Sequence, residues 1–203
     1  MRNTLKSFFI AALLAQGSSA FAQETDTTTA EPTQNQAADP AADLDLGEPV
    51  GPQVGQPYVL QTFGDWAMRC VKAAEGRNDP CNLYQLLTDE NGAAVAEFNL
   101  FRLPEGSRAA AGATVVVPLE TLLTQQLMLT VDEGEARRYP FTFCNAAGCV
   151  ARLGFTQAEV EQFKAGSAAT VRLVPAAAPT EEVLLNLSLS GFTAGFEGVV
   201  IPN

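Results

Sequence analysis

The residues of this chain best equipped for chemistry are four cysteines at two short spacings. Cys70 and Cys81 enclose ten residues, and Cys144 and Cys149 enclose four. An all-thiolate zinc site is one use for such a set, but no C-x-x-C pair occurs, and in an oxidising compartment disulfides are the expected state. The same absence disfavours a thiol oxidoreductase. There is no histidine anywhere, which removes Ser-His-Asp and Cys-His catalysis, histidine-ligated zinc and the usual general base near neutral pH. The G-x-S-x-G, Walker A and G-x-G-x-x-G patterns are missing as well. The expectation is therefore no catalytic residue, no cofactor and no metal.

Carboxylate pairs stand at Asp132/Glu133 and Glu181/Glu182. Both fall in expected turns, where a solvated charge is the ordinary role, so they support no acid/base assignment. Arg137, Arg138 and Arg152 approach one another if the hairpin described next has the expected register, giving a small basic patch on an acidic protein. Trp66 reads as core. Asn186-Leu-Ser188 fits a glycosylation sequon, but it falls on an expected strand and is discounted.

The elements that must hold these residues follow from periodicity. Tyr139 to Leu153 reads as two short apolar runs folded back across small residues, with Cys144 and Cys149 at the mouth of the turn. This predicts a disulfide-closed hairpin in which Gly148 supplies a positive φ. With Cys144 opposite Cys149, Phe141 and Phe143 share one face, and Phe143 meets Val150 on the core side. The cysteines, Thr142 and Ala151 take the other face. Asp65 to Val71 alternates, with Trp66, Met68 and Cys70 inward, and Cys81, Leu83 and Leu87 resume that phase after a polar connection at 72–80. Cys70 and Cys81 thus sit at the two ends of one loop. Four cysteines allow three pairings. The local pairs Cys70 with Cys81 and Cys144 with Cys149 are predicted, because each spans one loop between neighbouring strands; each contributes about 2 to 3 kcal/mol by the chain-entropy relation.

Further strands are expected at Val95–Leu103, Thr114–Leu119, Leu127–Val131, Ala169–Val174 and Val183–Leu189, with a turn at Asp132–Glu135. One helix is expected from Thr156 to about Ala165. Thr156 and Glu159 form a capping box, Phe155 and Val160 a hydrophobic staple, and Gly166 a left-handed stop. Val160 and Phe163 should pack on the sheet. Many short strands with one short helix predict an all-β domain, a disulfide-bridged sandwich or partly closed barrel.

The N-terminus carries Arg2 and Lys6, the apolar run Phe8–Leu14 and Ala20-Phe21-Ala22. This is the layout of a signal peptide at 1–22, cleaved before Gln23, and it is too short to span a bilayer. Loss of Arg2 and Lys6 leaves 10 basic against 23 acidic residues, a net charge of −13. That balance argues against nucleic acid or anionic membrane as partner. Residues 23–57 hold seven acids, no base, five prolines and no aromatic residue, a composition that predicts a disordered acidic linker. The folded domain is expected over 58–203, with no later membrane span and a periplasmic or extracellular location.

Four blocks in order give this domain a resemblance. Phe63-Gly-Asp-Trp66 with Cys70, Cys81 with Gln85, the Tyr139-Pro-Phe to Cys144 and Gly148-Cys149-Val-Ala151 block, and Leu189-Ser-Gly-Phe192 together resemble the bacterial invasion-associated locus B family over roughly residues 60–196. The resemblance implies an exported, cysteine-bridged envelope protein, named for a role in host-cell invasion, with no catalytic residues or cofactor to carry over. Two functional classes follow. One is a non-enzymatic protein that binds a protein or envelope component, and the other is a small-ligand binder or enzyme whose site the sequence conceals. The first is favoured because the common catalytic routes are missing. The expected contact surface is the hairpin tip Asn145, Ala146, Ala147 and Gly148 with Arg138 and Arg152.

The leader makes one direct prediction. Protein purified after export begins at Gln23 and carries no lipid; an intact mass that retains Met1 to Ala22 would overturn the compartment argument.

Overall fold

The computed structural model describes residues 44, 45, 47, 48 and 50–201, and every element named here lies in the unit Pro49–Asn203. The expected leader, and the expected linker up to residue 43, lie outside the described residues. In chain order the elements are β1 (Pro57–Phe63), β2 (Trp66–Val71), β3 (Cys81–Thr88), β4 (Ala94–Arg102), β5 (Ala111–Val117), β6 (Leu127–Val131), β7 (Arg137–Tyr139), β8 (Phe141–Asn145) and β9 (Gly148–Phe155). They continue with α1 (Gln157–Ala165), β10 (Ala168–Leu173), β11 (Val183–Ser188) and α2 (Phe192–Gly198).

Seven strands form one antiparallel sheet in the order β1-β2-β3-β4-β5-β9-β8, and four form a second in the order β11-β10-β6-β7. Each sheet ends on two edge strands paired on one side only, so the domain is a sandwich and not a barrel. The inward phase expected for β2 and β3 is present: Trp66, Met68, Cys70, Leu83 and Leu87 are buried, and Leu185 and Leu187 of β11 close the core from the smaller sheet. A chain of aromatic rings runs through this core. Phe98 meets Trp66 at 6.0 Å, Trp66 meets Phe192 at 5.6 Å, Phe192 meets Phe163 at 5.4 Å, Phe163 meets Phe155 at 5.0 Å, and Phe155 meets Tyr139 at 6.2 Å. Most of these pairs are edge-to-face, the arrangement that ring quadrupoles favour.

The two sheets are also joined by a polar clamp on the backbone of Ser188. Trp66 Nε1 donates to the Ser188 carbonyl at 2.9 Å, Gln85 Nε2 donates to the same oxygen at 3.0 Å, and the Ser188 amide donates to Gln85 Oε1 at 2.8 Å. Gln85 is itself buried. Its amide therefore plays the part of a neighbouring strand residue and satisfies both backbone groups at once. Beside it the Ser188 hydroxyl donates to Asp65 Oδ2 at 2.6 Å, and the Asp65 amide donates to the Ser190 carbonyl at 3.2 Å. Gly191 (φ 82°) passes so close to Phe63 that a Cβ would collide with that residue's carbonyl.

Both local disulfides form, and each joins residues directly opposite in an antiparallel pair: Cys70 with Cys81 between β2 and β3, and Cys144 with Cys149 between β8 and β9. α1 starts as expected. The Glu159 amide donates to Thr156 Oγ1 at 3.3 Å and the Thr156 amide to Glu159 Oε2 at 2.7 Å, while Val160 and Phe163 are buried.

Four expectations need correction. The ladder between β8 and β9 shifts register between Phe141 and Phe143, so a bulge at Thr142 sends the two rings to different faces. Phe141 packs on the core and Phe143, opposite Val150, is 44% exposed on the outer face; Cys149 and Ala151, expected outside, are buried in the core. Gly166 ends α1 in extended geometry (φ −78°), because the chain turns straight into β10. A second helix, α2, was not expected: it lacks a capping side chain, contains Gly195, and is held by burial of Phe192 and Phe196 one turn apart. β1 was also missed, since its apolar residues do not alternate with polar ones and its ladder shifts register between Val59 and Gln61.

The clamp generates a stability prediction. Gln85→Leu leaves the half-buried Ser188 amide without its partner and should cost about 1 kcal/mol, read as a lower urea midpoint with an unchanged slope.

Candidate functional site

Three places present side chains that nothing in the core requires. The first is the β8–β9 hairpin. Asn145 pairs with Gly148, so Ala146 and Ala147 form the tip, and the Ala147 amide donates to Asn145 Oδ1 at 2.9 Å. This is an Asx turn, which holds the tip without any partner. Gly148 has the expected positive φ (140°), and a Cβ there would strike the Val117 carbonyl of β5. Asn145, Ala146 and Ala147 are exposed, while Gly148 and Cys149 are buried beneath them. β8 is one of the two open edges of the seven-stranded sheet, with β1 at the other, and has no charged side chain.

The three arginines are distributed rather than gathered in one place. Arg152 lies on the outer face of β9 with its guanidinium carbon 5.8 Å from the Phe143 ring centroid. Arg138 is exposed on β7, opposite Met128 in the smaller sheet. Arg137 turns to α1 and forms an ion pair, its Nε 2.6 Å from Glu159 Oε1.

That ion pair forms part of the wall of the second place, a cavity of about 260 Å³ between α1 and the β6–β7 hairpin. Leu129, Phe155 and Phe163 give it an apolar lining, Tyr139 stands beside Phe155, and Asp132, Glu135 and Gln162 border it. Glu159 is buried, and its other oxygen accepts from the Thr156 amide and hydroxyl, each at 2.7 Å. The capping box therefore positions the carboxylate that holds Arg137. The Tyr139 hydroxyl is buried without a hydrogen-bond partner. Burial, then the Glu159 carboxylate, push its pKa above the ordinary phenol value, with Arg137 opposing, so the phenol keeps its proton. None of Tyr139, Glu159 or Gln162 was singled out as a site from sequence. The S-x-x-E-like capping signal located Glu159, but read it as a helix start and nothing more.

The carboxylates of the expected turns have local structural uses. Asp132, at φ 46°, accepts from the Ser167 and Ala168 amides, each at 3.1 Å, and so ties the β6–β7 turn to the start of β10. Glu182 pairs with Arg172. Among the described residues no group of three or more histidine, cysteine or carboxylate side chains is arranged to hold a metal ion.

The third place is an open groove of about 710 Å³ beside the Cys70–Cys81 bridge, bordered by the 72–80 loop with Val54, Val71 and Val200. Asp79 organises the loop: Tyr58 Oη donates to Oδ2 at 2.6 Å, the Ala73 amide to Oδ1 at 2.8 Å, and Lys72 Nζ approaches Oδ2 at 3.3 Å.

A family model described as "Invasion associated locus B (IalB) protein" matches residues 66–200. The chain belongs to the invasion associated locus B family. Among solved structures it is similar to invasion associated protein B from Bartonella henselae, at 22% identity and a TM-score of 0.58, covering 68% of this chain and 92% of that one. At that identity the likeness speaks for the fold. A search of curated proteins returned no match. The family region spans β2 to α2 and contains both disulfides and the Ser188 clamp, whereas β1 precedes it. Disulfides and family membership are consistent with an envelope or extracellular protein, and among the described residues no helix is long and apolar enough to cross a membrane.

The Asp79 lock makes the stability of this locus B domain pH-dependent at both ends. The Tyr58 hydrogen bond first, then the Ala73 amide and Lys72, lower the Asp79 pKa below its ordinary 3.8. That contribution is present above the ordinary value and lost as pH falls through the lowered one. The Tyr58 pKa is raised above 10.0, chiefly by the hydrogen bond to Asp79 and then by burial, so its contribution is present below pH 10.0 and lost as pH rises through the raised value. Asp79→Asn should therefore lower Tm at neutral pH, with the difference shrinking as pH falls below 3.8; a difference that stays constant down that range would refute the lock.

Proposed function

We propose that the protein is an exported, non-enzymatic component of the cell envelope that acts by binding another protein or an envelope component, through the β8–β9 edge and its tip. One observation carries the reading: β8 is an uncharged open edge strand that displays Phe143, 44% exposed, in reach of Arg152, and its tip is closed by the Cys144–Cys149 bridge. Folded proteins usually guard such edges with charge or proline. An extended segment of a partner can add to the edge by main-chain pairing, with Phe143 and Arg152 supplying specificity. The bridge and the Asx turn already hold the tip, so little further entropy is lost on contact. Arg138, grouped with Arg152 by the sequence, lies on β7 of the other sheet. The working location is the periplasm or outer surface, and the partner is an envelope component or, as the family's name carries, one met during host-cell invasion.

Asn145 is used in the turn, so the test falls on its neighbours. Ala146→Leu with Ala147→Gln, Phe143→Lys, and Arg152→Glu with Arg138→Glu should leave thermal stability within about 0.5 kcal/mol of the parent. In crosslinking capture from envelope extracts they should lose a partner that the parent retains. If all three variants capture everything the parent does, this edge is not the site and the bridge serves only the fold.

A further inference from the structure

The larger sheet has a second open edge, β1, on the far side from β8 and independent of it. Tyr58 and Phe63 anchor the strand by packing on the core, and the residues between them face outward. Val59 and Leu60 are 54% and 57% exposed, and Gln61 and Thr62 after them are exposed as well. The ladder to β2 shifts register between Val59 and Gln61, so Leu60 is the extra residue of a bulge and pairs with no residue of β2. Val59 stands opposite Arg69, and Val71, diagonal to it on the same face and also exposed, widens the apolar strip.

Charge decides what can cover this edge. Pro49–Gly64 is a run of sixteen residues without a charged side chain, the longest in the unit Pro49–Asn203, in a chain of net charge −11. A two-fold contact sets a surface against itself, so a charge on the strand would meet its own kind across the axis. An uncharged strand lets two acidic copies approach without that repulsion. The other edges are less suited: β7 carries Arg137 and Arg138, β11 directly follows Glu181 and Glu182, and β8 has only five residues and is entered from Pro140. A strongly charged partner, in turn, would find no complementary group on β1. We propose that β1 pairs with β1 of a second copy of this chain, antiparallel about a two-fold axis, joining the two seven-stranded sheets edge to edge. Val59 and Leu60 of each copy are then covered at the seam. The bulge shortens the regular ladder, and a strand pair of this length buries less than the roughly 1,200 Å² of a standard interface, so the dimer is weak and reversible. Because β1 and β8 are opposite edges of one sheet, the pairing leaves both β8 edges free.

The test is sedimentation velocity on the purified chain. Between about 5 and 500 µM the parent should pass reversibly from monomer to dimer. Val59→Lys and Leu60→Lys each set like charges across the axis and should weaken dimerisation about tenfold or more, while Tm in dilute solution stays at the parent's. Phe143→Lys, at the opposite edge, should dimerise as the parent does, which separates this contact from the β8 surface. Raising salt from about 0.05 to 0.5 M should not weaken the dimer, because no opposite charges are paired in it. A chain that stays monomeric across the whole range overturns the proposal and leaves the edge to a different partner. It is equally overturned if both lysine variants dimerise like the parent, if Phe143→Lys abolishes the dimer, or if salt dissociates it.

Discussion

The grip of Gln85 and Trp66 on the backbone of Ser188 is the interaction on which the arrangement of the two sheets depends. Apolar burial alone is non-directional, and two greasy sheet faces can slide over each other at small cost. A buried amide that must satisfy one particular backbone donor and acceptor cannot. Because Gln85 and Trp66 belong to the larger sheet and Ser188 to the last strand of the smaller one, their three hydrogen bonds set the register of one sheet over the other. Asp65, Gly64 and Gly191 crowd round the same point, with backbone so close that neither glycine has room for a side chain.

This explains an awkward feature of the sequence. Phe63 to Trp66, Gln85 and Leu189 to Phe192, three of the stretches that carry the family resemblance, converge on the clamp, and the fourth makes the bridged hairpin at the far edge of the larger sheet. The recognisable residues are therefore spent on architecture. Exposed Phe143 and Arg152 over its ring belong to no such stretch of shared architecture.

Pro140 connects the two sheets. Tyr139 ends β7 in the smaller sheet and Phe141 begins β8 in the larger, and the residue between them has no amide hydrogen to continue either ladder. The chain changes sheets there, leaving Tyr139 at the cavity and carrying the next five residues to the open edge. The capping box of α1 also works on both levels, since Glu159 starts the helix and then holds Arg137 against it.

What the sequence by itself determined were the features encoded by neighbours along the chain: the alternating strands β2, β3, β6 and β11, the capping box of α1, the two loop-spanning disulfides and the positive φ of Gly148. Each rests on spacing within a dozen residues, which periodicity and backbone sterics make legible. Only the tertiary structure decided the rest. The bulge at Thr142 put Phe141 and Phe143 on different faces, and the alternation of β9 turned Cys149, Ala151, Leu153 and Phe155 inward together, because the register that buries those groups prevails. α2 became a helix because Phe192 and Phe196 found the aromatic core, despite weak local propensity. Arg137 went to Glu159 and Arg152 to Phe143, because the two strands that carry them belong to different sheets. The cavity brings together residues from 129 to 166, and a hollow lined by separate elements has no period for a sequence to show.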